Sequence, residues 1–70
     1  MEKFKGMVIW FDPKAGYGFI ARDGQKDLFV HFSDIVCEGY KTLKKGQRVT
    51  YSIGKNNSGE PKAIEVTVNE

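Results

Sequence analysis

The 70-residue sequence is poor in the groups from which most small stable sites are built. Cysteine occurs once, at Cys37, so no disulfide forms within the chain and a cystine-stapled secreted scaffold is excluded. One histidine, His31, beside one cysteine falls short of the ligand set of a structural zinc site, and no cofactor is implied. No apolar run approaches the ~20 residues that span a bilayer. Met1–Gly6 carries no apolar h-region, so a cytoplasmic address is expected. Neither sign of charge dominates: eleven basic and nine acidic residues leave a formal net charge of +2, which neither demands nor opposes an anionic partner. Helical periodicity is missing too, and eight glycines interrupt any such pattern. Without repeats, linkers or low-complexity tracts, residues 1–70 read as a single domain.

What the sequence does have is aromatic side chains: Phe4, Trp10, Phe11, Tyr17, Phe19, Phe29, Phe32, Tyr40 and Tyr51. A chain this short buries only about 60% of the surface it exposes unfolded. Its core supplies on the order of 3–5 kcal/mol. An interior of that size cannot take every ring, and where the rings go becomes the informative question.

The pattern is one of strands and turns. Phe4–Phe11 is rich in β-branched and aromatic residues and ends at the turn signal Asp12-Pro13. Gly16–Arg22 alternates, with Tyr17, Phe19 and Ala21 on one face and Gly18 and Ile20 on the other. Asp23-Gly24 marks a tight hairpin. Asp27–Phe32 alternates again, placing Phe29 and His31 opposite Leu28, Val30 and Phe32. Ser33-Asp34-Ile35 suits a single helical turn capped by Ser33. Residues 36–46 form a long connection. Arg48–Lys55 is a fourth strand with Val49, Tyr51 and Ile53 on one face, and Asn56–Gly59 is a turn. Lys62–Asn69 is a fifth strand with Ile64, Val66 and Val68 inward. Such a set predicts an all-β fold, a five-stranded antiparallel Greek-key barrel of the OB type, because closure removes exposed sheet edges.

In the second and third strands the pattern is in conflict with burial. Ile20, Leu28 and Val30 belong to a core, which sends Tyr17, Phe19, Phe29 and His31 to the opposite face. Burying one Phe contributes roughly 1.5–3 kcal/mol, so wet phenyl rings call for a reason other than stability. An open row of rings is a stacking platform, on which each base contributes about 1–3 kcal/mol with little dependence on sequence.

These residues carry a resemblance. Lys5-Gly6-Met7-Val8-Ile9-Trp10-Phe11 resembles the first-strand signature of the bacterial cold-shock protein family. Gly16-Tyr17-Gly18-Phe19-Ile20 and Leu28-Phe29-Val30-His31-Phe32 resemble its two ribonucleoprotein motifs, and Glu38–Leu43 its following loop. The resemblance implies binding of single-stranded RNA and single-stranded DNA, and an RNA-chaperone role without catalysis. By motif position it implies stacking on Trp10, Tyr17, Phe19, Phe29, His31, Phe32 and Tyr40. Alternation alone puts Phe32 and Trp10 with the core; a bulge in the first strand would turn them outward.

The sequence departs from the family at several positions, with Gly59-Glu60 replacing a more basic segment of the last loop. Ala15 stands where the first motif begins with Lys, Asp12 where Asn is usual, and Ile9 where Lys commonly precedes Trp. Attraction to phosphates is therefore expected to be reduced, with a shallow salt dependence. Lys5, Lys14, Lys41 and Lys62 remain as backbone contacts. Phe4, Phe11 and Tyr51 are expected in the core, and Gly16 and Gly18 beside rings that need small neighbours. His31 has no catalytic partner legible in the sequence, and no small-molecule substrate or membrane is implied. A monomer is expected, with strand exchange between copies as the alternative. The competing reading is an SH3-like barrel that grips proline-rich peptides with the same rings.

Overall fold

The backbone follows the turn residues closely. The computed structural model describes residues 2–37, 39 and 41–69. Its strands are β1 (Phe4–Asp12), β2 (Tyr17–Arg22), β3 (Gln25–His31), β4 (Arg48–Lys55) and β5 (Pro61–Asn69). Asp12 closes the first turn by accepting hydrogen bonds at Oδ1 from the N–H groups of Lys14 (2.9 Å) and Ala15 (3.3 Å). Asp23-Gly24 joins β2 to β3, with Arg22 and Gln25 paired and Gly24 at φ 70°, a conformation that favours glycine. Asn56 Oδ1 organises the β4–β5 turn by accepting from Ser58 and Glu60 N–H, each at 2.9 Å.

The strands close into a barrel in the spatial order β1-β2-β3-β5-β4. All neighbours are antiparallel except β3 and β5, which run parallel through Phe29↔Lys62 and Val30↔Ala63. The fold is thus the all-β, five-stranded OB-type barrel that the pattern predicts.

Two bulges set which residues point in. Between Val8↔Ile20 and Trp10↔Phe19, β1 places two residues against one of β2. The extra residue, Ile9, reverses the phase, so Val8 and Phe11 both reach the core and Trp10 turns outward. On β5 the extra residue lies between Thr67, opposite Thr50, and Ile64, opposite Ser52. Glu65 there has φ 50°. Ala63 and Val66 are consequently both buried. Ile64, expected inward, instead pairs with Ser52 and rests half-buried over Gly54.

The core is Val8, Phe11, Ile20, Leu28, Val30, Ile35, Leu43, Val49, Tyr51, Ala63 and Val66. Phe11 and Tyr51 sit where expected. Phe4 and Ile53 do not: each lies close to the end of its strand, beyond the packed centre, and is exposed. Phe4 only tilts against Tyr51, with ring centroids 6.0 Å apart. Ser52 is buried and donates from Oγ to the Glu2 carbonyl at 3.0 Å.

Candidate nucleic-acid interface

The outward residues of β1, β2 and β3 form rows, because partners across a ladder project on the same side of a sheet. One row is Trp10–Phe19–Phe29 and the next is Asp12–Tyr17–His31. The rings in these rows touch. Trp10 and Phe19 lie nearly parallel, with centroids 6.4 Å apart and planes at 24°. Tyr17 and Phe29 do the same at 5.7 Å and 23°. Edge contacts link the two pairs: Trp10–Tyr17 at 5.5 Å, Phe19–Phe29 at 6.0 Å and Tyr17–Phe19 at 6.3 Å. Trp10 and Phe19 remain 44% and 37% exposed, which leaves ring faces open to a ligand.

Phe32 reaches the same surface by a different route from the bulge that turns Trp10. β3 ends at His31, and Phe32 begins a 3-10 turn over Phe32–Asp34. Strand alternation therefore stops before it. Its N–H donates to the Gly16 carbonyl at 2.8 Å, and its ring covers Gly16, where a Cβ would lie 2.7 Å from Phe32 Cδ1. The cap of this turn is His31, not Ser33: Nδ1 accepts from the Ser33 N–H at 3.3 Å and lies 2.9 Å from Ser33 Oγ. With Nδ1 accepting, the neutral ring carries its proton on Nε2. The imidazole packs on Phe32 at a centroid distance of 4.5 Å. Gly18 owes its identity to the β1 backbone rather than to an outward ring: a Cβ there would lie 2.1 Å from the Trp10 carbonyl oxygen.

Trp10, Tyr17, Phe19, Phe29, His31 and Phe32 are thus brought to one surface. Tyr40 lies outside the described residues. Lys14 and Lys41 flank Phe32 in a cleft of about 350 Å³ that Gly16 and Gly39 also line. Lys5 lies further along β1, opposite Thr50. Lys62 is in register with Phe29, at the margin of the rings, but its Nζ is 3.1 Å from Asp34 Oδ2. The sequence assigns Asp34 a place in the helical turn but no part in the site. The pair joins positions 28 apart through the parallel β3–β5 pairing, and no local pattern announces it. Asp12, a departure from the family, uses its carboxylate to hold the turn rather than presenting it freely.

The chain is similar to known proteins over nearly its whole length. A family model described as the 'Cold-shock' DNA-binding domain matches residues 4–69. The cold shock-like protein CspA of Vibrio cholerae is 48% identical over 67 residues, covering 94% of each chain. A cold shock-like protein of Thermotoga maritima is 52% identical over 66 residues, covering 94% of this chain and 98% of its own. The cold shock-like protein CspC of Escherichia coli K12 is 50% identical over 68 residues, covering 96% and 97%.

Proposed function

The chain belongs to the cold-shock DNA-binding domain family, a family of nucleic-acid-binding proteins rather than enzymes, and from that premise we propose that it binds unpaired RNA and DNA by stacking bases on its aromatic face. One observation carries the reading: four rings joined by contacts to one another stand outside a barrel whose core is built without them. Each ring that accepts a base contributes about 1–3 kcal/mol, and every base has a face to offer. His31 and Phe32 extend the row, and Lys14 and Lys41 supply the cations beside it. Binding is sequence-tolerant, and with a formal net charge of +2 it leans on stacking more than on phosphates.

The biological consequence is that of an RNA chaperone acting as a cytoplasmic monomer. A protein that binds unpaired strands and not duplex shifts weak hairpins open by RT ln(1 + [L]/Kd). No ATP, metal or bond-making step is needed.

Trp10, the single tryptophan, reports the event directly. Oligo-dT is expected to change its emission at low salt, while a proline-rich peptide leaves it unchanged; the reverse result would establish the peptide-binding reading. Phe19→Ala is expected to weaken oligonucleotide binding by about 1–3 kcal/mol with little change in the unfolding midpoint. A large stability loss with normal affinity would instead assign the ring to the core.

A further inference from the structure

The outward face of β1 and β2 continues past the rings. The row after Trp10–Phe19 is Met7–Ala21, and on the other side of β1 Met7 is paired with Arg48 of β4. Lys5 is the next outward residue on β1. Together with Arg22 at the end of β2 and Asp23 in the turn that follows, these residues line a groove of about 920 Å³.

The groove is more basic than the chain around it. Lys5, Arg22 and Arg48 face one carboxylate, Asp23, among the lining residues. The ion pairs found among the described residues use Lys3 and Lys62, so neither draws on these cations. Arg22 is fixed by neutral partners: its Nε donates to the Lys26 carbonyl at 2.8 Å and its Nη1 to Gln25 Oε1 at 3.0 Å. Met7 is 42% exposed on the floor, an unbranched and polarizable surface that suits a base edge or sugar. Ala21 beside it leaves room.

We propose that this groove is a second part of the nucleic-acid track. It takes the nucleotides that follow those stacked on Trp10 and Phe19, with Lys5 and Arg48 on phosphates and a base or sugar against Met7. The occupant is the same single strand, because the groove is continuous with the ring rows and carries the complementary charge. The proposal rests on the single-strand reading above. At about 3.3 Å per strand residue, the run from Trp10 to Lys5 lengthens the track by roughly 15 Å.

The test is the dependence of affinity on oligonucleotide length. Fluorescence anisotropy of labelled oligo-dT of about 4 to 12 nucleotides spans the range of site sizes on such barrels. Arg48→Gln is expected to match wild type on the shortest oligonucleotides and to lose about two- to fivefold on the longest. On the long strand its salt slope should fall by about 0.7, as for one lost phosphate contact. Arg48→Glu should deepen the same length-dependent loss, and Phe19→Ala should weaken short and long strands alike. Equal losses for the Arg48 variants at every length would reduce Arg48 to a general field effect and overturn the proposal; so would wild-type affinity at every length. If folded wild-type protein binds no oligonucleotide at all, the single-strand reading itself fails, an outcome distinct from either.

Discussion

Replacing Asp34 by Asn is expected to make binding more salt-dependent while leaving the rings in place. In the native protein Lys62 Nζ lies 3.1 Å from Asp34 Oδ2, and the two side chains are only 26% and 18% exposed. Lys62 stands in register with Phe29, within reach of a strand that crosses the rings. Its charge is therefore matched by the protein before any phosphate arrives. Asparagine keeps the shape of the side chain and removes the charge, so the ammonium becomes available. One additional contact to a single strand steepens the plot of log K against log salt by about 0.7. Over a fourfold change in salt, such as about 50 to 200 mM, that is a factor of about 2.5 in affinity. Losing a partly buried pair opposes this with a stability cost of about 1 kcal/mol, above the value of a fully exposed pair and below that of a buried one. Anisotropy titrations across salt on wild type, Asp34→Asn, Lys62→Gln and the double variant form the assay. Lys62→Gln should barely move the slope in the wild-type background and should restore the shallow slope in the Asp34→Asn background. If the two substitutions act independently on the slope, the carboxylate does not control Lys62 and the reasoning is wrong.

Other outcomes follow from packing and burial. A Cβ at Gly18 would sit 2.1 Å from the Trp10 carbonyl oxygen and 2.7 Å from Phe11 Cα, both backbone atoms of the adjoining strand. Gly18→Ala is therefore expected to cost about 3 kcal/mol, most of the stability of a chain this size, and a wild-type urea midpoint would refute it. Burial raises the Tyr51 phenol above its ordinary range, against a smaller lowering by the Arg22 charge. The unfolded phenol ionises first, near pH 10, so above that pH the native state holds more protons than the unfolded state. Stability from this group is complete below about pH 10 and is lost as pH rises through the higher native value. Tyr51→Phe should flatten the alkaline limb of a stability-against-pH curve, and an unchanged limb would count against the assignment.

Much of this architecture is legible from residue order. Alternation at Tyr17, Phe19 and Phe29 already separates an outward aromatic face from the core of Ile20, Leu28 and Val30, because a strand has only two sides. Asp23-Gly24 announces its turn through the positive φ that glycine takes readily, and Asn56–Gly59 through side-chain hydrogen bonds that act within a few residues. The misplacements arise where a period of two is interrupted. Glu65 shifts the phase of β5, so Ile64 and Ala63 exchange the sides that alternation gives them. Phe32 leaves β3 for a 3-10 turn, and only its motif position, not its parity, foretells an outward ring. Ile53 and Phe4 have apolar side chains near the ends of their strands, where a one-dimensional pattern carries no information about how far the core extends. Asp34–Lys62 and Met7–Arg48 depend on which strands become neighbours, a property of closure rather than of any segment.

The parallel seam between β3 and β5 also has a meaning in time. The hairpin between β2 and β3 and the antiparallel pairing of β4 with β5 each join strands close in sequence, and their loops close at little entropic cost. The seam joins Phe29 to Lys62 and Val30 to Ala63 across more than thirty residues, so it closes against a larger loop penalty than either of those pairings, and for only two paired positions. Loop-closure cost thus makes it a late event in folding and an early one in unfolding. Because Phe29 lies on the seam, the face that binds and a late stitch of the barrel share a residue. A strand laid across Phe29 and Lys62 would hold that stitch closed, and occupancy would lengthen the lifetime of the folded chain itself.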